Sequence, residues 1–212
     1  MKIVIPFLAT IATLLTACHT TPAKTDGLCH ITGTANERFE GKKIFLVPVD
    51  GPATMETVDS VVITDGKFAF ASEPGEMKSI RIDFRHRMHV EDLLLVMEPG
   101  QVEVVIDTIS SAQGTPMNDT LQLWKERTMQ YHRSLNPLHR QKQAAEQAGD
   151  QTTAASLKTE MERLGKAYRK DSRNLADRLK EGTLFEFLDS RFPRSYPKRM
   201  PDGTITTVHV EY

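Results

Sequence analysis

The sequence is poor in cysteine, in net charge and in long hydrophobic runs. Its 212 residues include only two cysteines, too few for a disulfide-stapled scaffold or a cysteine-rich zinc or iron–sulfur module. Lysine and arginine (27) nearly balance aspartate and glutamate (28), so the overall charge does not predict nucleic-acid binding. With 39% hydrophobic and 26% charged residues, the composition is that of an ordinary globular protein. It excludes a multi-span membrane protein, a collagen-like fibre and a wholly disordered chain.

One uncharged and mostly apolar run, at residues 3–15, directly follows Lys2. It is shorter than the about 20 residues that a helix needs to cross a bilayer, and it fits the apolar segment of a secretory signal peptide. The run ends in the letters LTAC at residues 15–18. An aliphatic residue and two small residues before a cysteine resemble the bacterial lipobox.

The lipobox resemblance implies that Cys18 receives a diacylglyceryl thioether and that cleavage removes residues 1–17 as a signal peptide. Two or more acyl chains hold a protein stably at a membrane, so Cys18 would be a lasting anchor. Residues 18–26 are small and polar and include a proline, which predicts a flexible tether. We therefore expect a lipid-anchored protein of the cell envelope, at the outer membrane. The alternative is plain secretion with cleavage near Ala17.

Lipid on Cys18 leaves Cys29 as the one remaining thiol. An odd thiol in an oxidising compartment could react or could pair between chains. The alternative, which we favour, is that Cys29 is a small apolar residue buried in the first strand.

Charge divides the mature chain into two parts of opposite sign. Residues 18–120 carry nine basic and sixteen acidic residues, whereas residues 121–181 carry thirteen basic and eight acidic residues. This reversal predicts two structural units, a β unit at residues 27–116 and a helical unit at residues 117–190. Residues 191–212 would then form a C-terminal tail.

Short apolar runs separated by turn residues fill the first unit. The runs lie at residues 28–34, 42–50, 57–64, 67–70, 80–84, 93–97 and 102–106. Asp65 and Gly66 give a tight hairpin signal between two of them. Ile80 and Ile82 alternate with charged residues, which predicts one dry and one wet face. The pattern indicates an antiparallel β-sandwich or barrel.

Two apolar stripes at helical spacing fill the second unit. The first holds Leu121, Trp124, Thr128, Tyr131, Leu135 and Leu138, and the second holds Leu157, Met161, Leu164, Tyr168, Leu175 and Leu179. They predict a long antiparallel helical hairpin whose stripes pack on each other, with a kink or break at Pro137. In the tail, Asp202 and Gly203 predict a turn, and residues 204–208 could add an edge strand. The fold class is therefore α+β.

Several motifs of the β unit resemble those of a domain of unknown function, DUF4369. They are ITG at 31–33, KIFL at 43–46, DSVV at 59–62, DGKFAF at 65–70, LVMEPGQV at 95–102 and GTPMND at 114–119. The resemblance covers roughly residues 27–123. This domain is common in envelope lipoproteins of the Bacteroidota, where it typically precedes a thioredoxin-like domain. The resemblance thus implies a fold and an envelope address.

Disulfide exchange does not follow from the resemblance. A thioredoxin-like oxidoreductase needs two thiols, one to attack and one to resolve. No cysteine follows Cys29, and too few residues follow the helical segment for a thioredoxin fold.

The densest group of potential ligands contains His86 and His89, which could bind a metal or, with neighbouring arginines, an anion. No third metal ligand is identifiable, and a solvated basic hairpin is the interpretation we favour. His132 and His139 would share a helical face only if the helix continued through Pro137.

Catalytic groups are not evident. Glu91, Asp92 and Asp119 lack an identifiable acid or base partner, Ser60 lacks the glycine-flanked elbow of a catalytic serine, and no Gly-rich phosphate loop is present. We expect a non-catalytic binding module without a cofactor. It would contact the membrane through its lipid and bind a protein or glycan, not a nucleic acid. The alternative is an accessory protein of envelope thiol-redox or metal handling that uses Cys29 or the His86 and His89 loop.

Overall fold

The computed structural model describes residues 26–51, 54, 56–82 and 93–212. Its elements are β1 (Cys29–Ala35), β2 (Lys43–Pro48), β3 (Asp59–Val62), β4 (Lys67–Ser72), β5 (Met77–Ile82), β6 (Leu94–Val96), β7 (Gly100–Ile106), β8 (Ser111–Gln113), α1 (Pro116–Gln147), α2 (Gln151–Leu179), α3 (Thr183–Arg191), β9 (Ser195–Arg199) and β10 (Ile205–His209). The predicted α+β class, strands first and helices after, is confirmed.

The first eight strands form two open four-stranded sheets, as in a sandwich. One sheet has the order β4-β1-β7-β8 and the other has the order β3-β2-β5-β6. Their pairings are antiparallel except for the central pair of the first sheet, where β1 and β7 run parallel with Ile31 opposite Val102. The sheets enclose an apolar core that contains Cys29, Ile44 and Ile80.

Gly33 on β1 makes room for an aromatic ring in this core. A Cβ atom at Gly33 would lie 2.0 Å from the Cζ atom of Phe68, which is on the neighbouring strand β4. No side chain fits there while the Phe68 ring keeps its position. Glycine is therefore required for space at this point of the strand.

A second apolar core lies between the outer face of the second sheet and the helices. It joins Met77 and Leu94 from the sheet to Trp124 of α1 and Leu184 and Leu188 of α3. Of the charged residues predicted on the wet face of β5, Arg81 is half-buried, and Asp83 and Arg85 lie outside the described residues. Ser79 is buried, because the helices cover the face that its side chain shares with Met77.

Helices α1 and α2 form the predicted antiparallel hairpin, joined by a turn in which Gly149 has a φ of +75°. Of the kink or break predicted at Pro137, the break is not found, because α1 continues through the proline. Proline removes one hydrogen bond, the one to the carbonyl of Arg133, and Arg133 is exposed, so water can replace that bond. No helix in the described part of the chain is both long and apolar enough to cross a bilayer.

The C-terminal tail forms a two-stranded ribbon of its own. The strand predicted at residues 204–208 is found as β10, but it pairs with β9 and not with either sheet of the sandwich. We call residues 195–209 the ribbon.

Candidate functional site

The start of α1 is fixed to the sandwich by side chains. Glu98 accepts hydrogen bonds from the backbone N–H groups of Met117 (2.7 Å) and Asn118 (3.2 Å), which otherwise have no partner inside the helix. A carboxylate also suits the positive end of the helix dipole. One turn further along, the Gln122 side chain accepts from the N–H of Ala112 on β8 at 3.1 Å. These hydrogen bonds fix the orientation of α1 relative to the sandwich.

A small cleft lies near the root of the hairpin, between α1 and α2. Its volume is about 220 Å³, and its lining is Trp124, Arg127, Gln130, Tyr131, Ser134, Leu164, Tyr168, Asp171 and Ser172. The rings of Tyr131 and Tyr168 are stacked with centroids 4.4 Å apart, and the Trp124 indole N–H donates to the Ser172 hydroxyl at 3.1 Å. Because small-molecule pockets usually span about 300–1,000 Å³, this cleft is small for an organic ligand.

Two larger hollows lie on the sandwich. One, of about 460 Å³, contains several carboxylates and Lys78, whose ammonium lies 3.1 Å from Glu76. The other, of about 590 Å³, lies on the first sheet over Gly33 and has a mostly apolar lining. Both are open hollows on the surface of the strands.

An ion network centred on the buried Arg173 fixes the base of the ribbon. Arg173 of α2 is 4% exposed and donates to Asp177, to Asp189 and to the carbonyl of Phe192. Arg194, just before β9, pairs with the second oxygen of Asp177 at 2.9 Å. The residues leading into the ribbon are thus bound to α2 and α3.

The network shifts two ionisation equilibria. Burial lowers the pKa of Arg173, but hydrogen bonds with Asp189 and Asp177 raise it by more, so it lies above its usual range. Burial raises the pKa of Asp177, but hydrogen bonds from Arg173 and Arg194 lower it by more, so it lies below its usual value. Both shifts favour the charged forms.

The ribbon itself is largely exposed. Its large hydrophobic side chains include Tyr196, Met200 and Ile205, which are 45%, 39% and 73% exposed. Lys198 and Arg199 lie between Tyr196 and Met200 along the chain. The ribbon therefore presents apolar and positively charged groups together, and it is our candidate binding surface.

Cys29 lies where the favoured interpretation placed it. Its side chain is 0% exposed inside the sandwich core, and it is a free thiol. Burial raises the pKa of this thiol, so the reactive thiolate is disfavoured. Cys18 lies outside the described residues, as do His86, His89, Glu91 and Asp92.

The remaining predicted candidates are not brought together. His132 and His139 are both exposed on one continuous helix, but seven residues separate them by roughly 10 Å, too far for one metal ion. Ser60 is exposed on β3, and Asp119 accepts a hydrogen bond from the N–H of Gly114 at 2.8 Å. In the described ranges, no three His, Cys, Asp or Glu side chains form a group able to hold a metal.

Comparison with known proteins identifies the first unit. Residues 29–121 match the model of the domain of unknown function DUF4369. The match confirms the predicted domain, and it extends beyond the strands into the first turns of α1. No curated protein and no solved structure matches the chain.

Sequence reasoning did not predict the ribbon as a separate surface. The turn at Asp202 and Gly203 was evident, but Pro197 concealed strand β9, because proline is uncommon within strands. Pro201 directly before the turn and the β-branched run after it were the usable signal.

Proposed function

We propose that this chain is a non-catalytic, lipid-anchored protein of the cell envelope, held at the outer membrane through Cys18, and that it binds a protein partner through the side chains of the ribbon. The LTAC letters at residues 15–18 support the anchor. The resemblance to envelope lipoproteins of the Bacteroidota supports the address.

The exposed chemistry of the ribbon carries the binding part of the proposal. The cores of protein interfaces are enriched in aromatic residues, methionine and arginine and depleted in aspartate and glutamate. The ribbon exposes Tyr196, Arg199 and Met200 within five residues. This composition favours a protein over a glycan as the partner.

The burial of Cys29 weighs against the thiol-redox alternative. A redox-active cysteine needs an accessible thiolate, whereas this thiol is inside the sandwich core with a raised pKa. His86 and His89, on which the metal-handling alternative depends, lie outside the described residues, so that alternative stays a prediction.

The anchor is tested by mass spectrometry of the amino-terminal peptide from the native host. We expect a peptide that begins at Cys18 and carries acyl chains, and we expect Cys18→Ala to move the protein out of the membrane fraction. An unmodified Cys18 thiol, or cytosolic protein that retains Met1, would contradict the proposal.

Binding is tested by placing a photo-crosslinking residue at position 198 on the ribbon. The matched control has the crosslinker at the exposed Lys158, on α2 away from the ribbon. We expect one reproducible protein adduct from position 198 only, and its loss when Tyr196→Ala and Met200→Ala are added. A carbohydrate adduct would transfer the proposal to a glycan, and equal adducts from both positions would contradict it.

A further inference from the structure

The alternation of hydrogen-bonded pairs between β9 and β10 determines which backbone groups of the ribbon face outward. The N–H of Met200 donates to the Thr204 carbonyl and the N–H of Val210 donates to the Arg194 carbonyl, both at 2.8 Å. Hydrogen-bonded pairs alternate along an antiparallel ladder, so the residues of even number face the partner strand. The backbone groups that face outward therefore belong to Ser195, Pro197 and Arg199 on β9 and to Ile205, Thr207 and His209 on β10.

These two edges differ in their ability to accept another strand. Pro197 is at the centre of the β9 edge and has no N–H, so this edge cannot form a regular ladder. The opposite residue on β10 is Thr207, which keeps its N–H. Among the described residues, no strand pairs with the outer edge of β10.

Pairing with a third strand would stabilise the ribbon. An isolated two-stranded hairpin is marginally stable in water, and strands become stable when more of them pair. Ile205 is 73% exposed, and Thr206 and Thr207 are exposed beside it. β10 is therefore an open, β-branched edge on an element that is only partly supported by the rest of the fold.

The charge distribution indicates which strand fits. Residues 205–208 carry no charge, whereas Lys198 and Arg199 are on the closed side, in β9. An identical β10 strand would meet this edge without like-charge repulsion, and an acidic peptide would gain no opposite charge there. Because only one edge of each copy's ribbon can accept a strand, pairing through the ribbon would close after two copies and would not continue into a fibre.

We propose that two copies of this chain pair antiparallel through β10, with a two-fold axis at Thr207. Thr207 then lies opposite the partner subunit's Thr207, and Ile205 lies opposite the partner subunit's His209. The pairing forms about six backbone hydrogen bonds. Its small area, well below the about 1,200–2,000 Å² of stable interfaces, makes it a weak dimer. The proposal does not depend on the lipid anchor.

The first test uses disulfide trapping in the full chain with Cys18→Ser, so that the buried Cys29 is the only other thiol. In the proposed dimer the two Thr207→Cys residues have Cα atoms about 5.5 Å apart, within the range that a disulfide spans. The control, Thr206→Cys, is one residue away on the same strand, but its two copies are roughly 8 Å apart.

Under mild oxidation we expect Thr207→Cys to form covalent dimers at least about ten times faster than Thr206→Cys, since only its two Cα atoms lie within the range that a disulfide spans. Equal rates, or no dimer from Thr207→Cys, would overturn the proposal. A crosslink at Thr206→Cys alone would also overturn it, because that result requires a different register.

The second test uses Thr207→Pro, which removes the outward N–H and leaves the pairing with β9 intact, because Thr207 does not bond to β9 in this phase. Sedimentation velocity of the Cys18→Ser chain should show the average mass rising towards a dimer as concentration increases. Thr207→Pro should remain monomeric over the same range. A parent chain that stays monomeric at the highest concentration, or a proline variant that dimerises equally, would refute pairing through β10.

Discussion

The side-chain amide of Asn118 forms two hydrogen bonds with the backbone of Val96, one in each direction. The Val96 N–H donates to Oδ1 at 3.0 Å, and Nδ2 donates to the Val96 carbonyl at 2.8 Å. Val96 is on the edge strand β6. The Asn118 side chain, in the first turn of α1, therefore satisfies backbone groups that a neighbouring strand would otherwise pair with. Asn118 is 1% exposed, which leaves no room for water to replace it.

Asn118→Ala should therefore destabilise the fold. It would leave the N–H and carbonyl of Val96 buried without partners, at a cost of about 1–3 kcal/mol for each group. We expect the free energy of unfolding, measured with urea, to fall by about 2–6 kcal/mol. Gln130→Ala, on an exposed part of the same helix, is the control and should change it by less than about 0.5 kcal/mol. A similar small change for both variants would show that the edge does not need the amide.

The two arginines that bind Asp177 should differ greatly in importance. Arg173→Ala would remove the partner of Asp177 and Asp189, whose side chains are 32% and 45% exposed, so water can solvate both carboxylates. We therefore expect a loss of about 2–3 kcal/mol in unfolding free energy, less than for a fully buried ion pair. Arg194 is 71% exposed, so Arg194→Ala should cost less than about 1 kcal/mol. Urea unfolding of both variants checks this, and equal losses would contradict the assignment of Arg173 as the centre of the network.

Acid should weaken the same network. Because the folded-state pKa of Asp177 lies below its unfolded value, its contribution to stability is complete above the unfolded pKa and is lost as pH falls through the folded pKa. Asp177→Asn should thus be less stable than the parent at pH 7, and the difference should shrink below about pH 4. Urea unfolding at several pH values measures it. In the Arg194→Ala background, the pH-dependent part of this stability difference should be smaller. A stability difference that grows in acid would contradict the lowered pKa of Asp177.

Gly33 and Phe68 should be energetically coupled. Gly33→Ala puts a methyl group where the Phe68 ring lies and should cost about 1–3 kcal/mol. Phe68→Ala alone should cost about 3–5 kcal/mol, because it leaves a cavity in the sandwich core. In the double variant the methyl no longer meets a ring, so the combined loss should be clearly less than the sum. Additive losses in this double-mutant cycle would exclude the steric relationship.

The thiol of Cys29 should be protected in the native protein. In the Cys18→Ser chain, an aromatic disulfide reagent should react with Cys29 much more slowly than with free cysteine, because the thiol is buried and its pKa is raised. In concentrated urea the reaction should become fast and stoichiometric. A native thiol that reacts as quickly as free cysteine would restore the redox alternative.

Sequence patterns predicted most of the fold, because the spacing of apolar residues shows the buried face of a strand or helix and the turn residues show where it ends. The alternation at Ile80 and Ile82 and the turn at Asp65 and Gly66 located strands β5 and β4 to within a few residues. Strand β8 was not predicted, because its three residues carry no apolar run and depend on Gln122 for a backbone partner. A local sequence pattern does not show which strands pair with each other in a sheet, so the parallel pairing of β1 with β7 was not predicted.

The candidate site was less predictable than the fold. Burial of Cys29 was an expected alternative, because cysteine is often a small core residue. The Arg173 network was not predicted, since Asp189 lies sixteen residues away and reaches Arg173 only after α3 turns back. The anchoring role of Glu98 depends in the same way on a loop and a helix end that meet only in the folded chain.

The contact of Glu98 with α1 has a consequence for any hybrid built on this domain. The matched segment ends at residue 121, inside the helix and after the turn that Glu98 and Asn118 hold. A helical polypeptide grafted after residue 121 would leave the domain in a fixed direction, because the first turn of α1 already sets the helix axis. In this chain that axis carries Gly149 roughly 45 Å from Asn118.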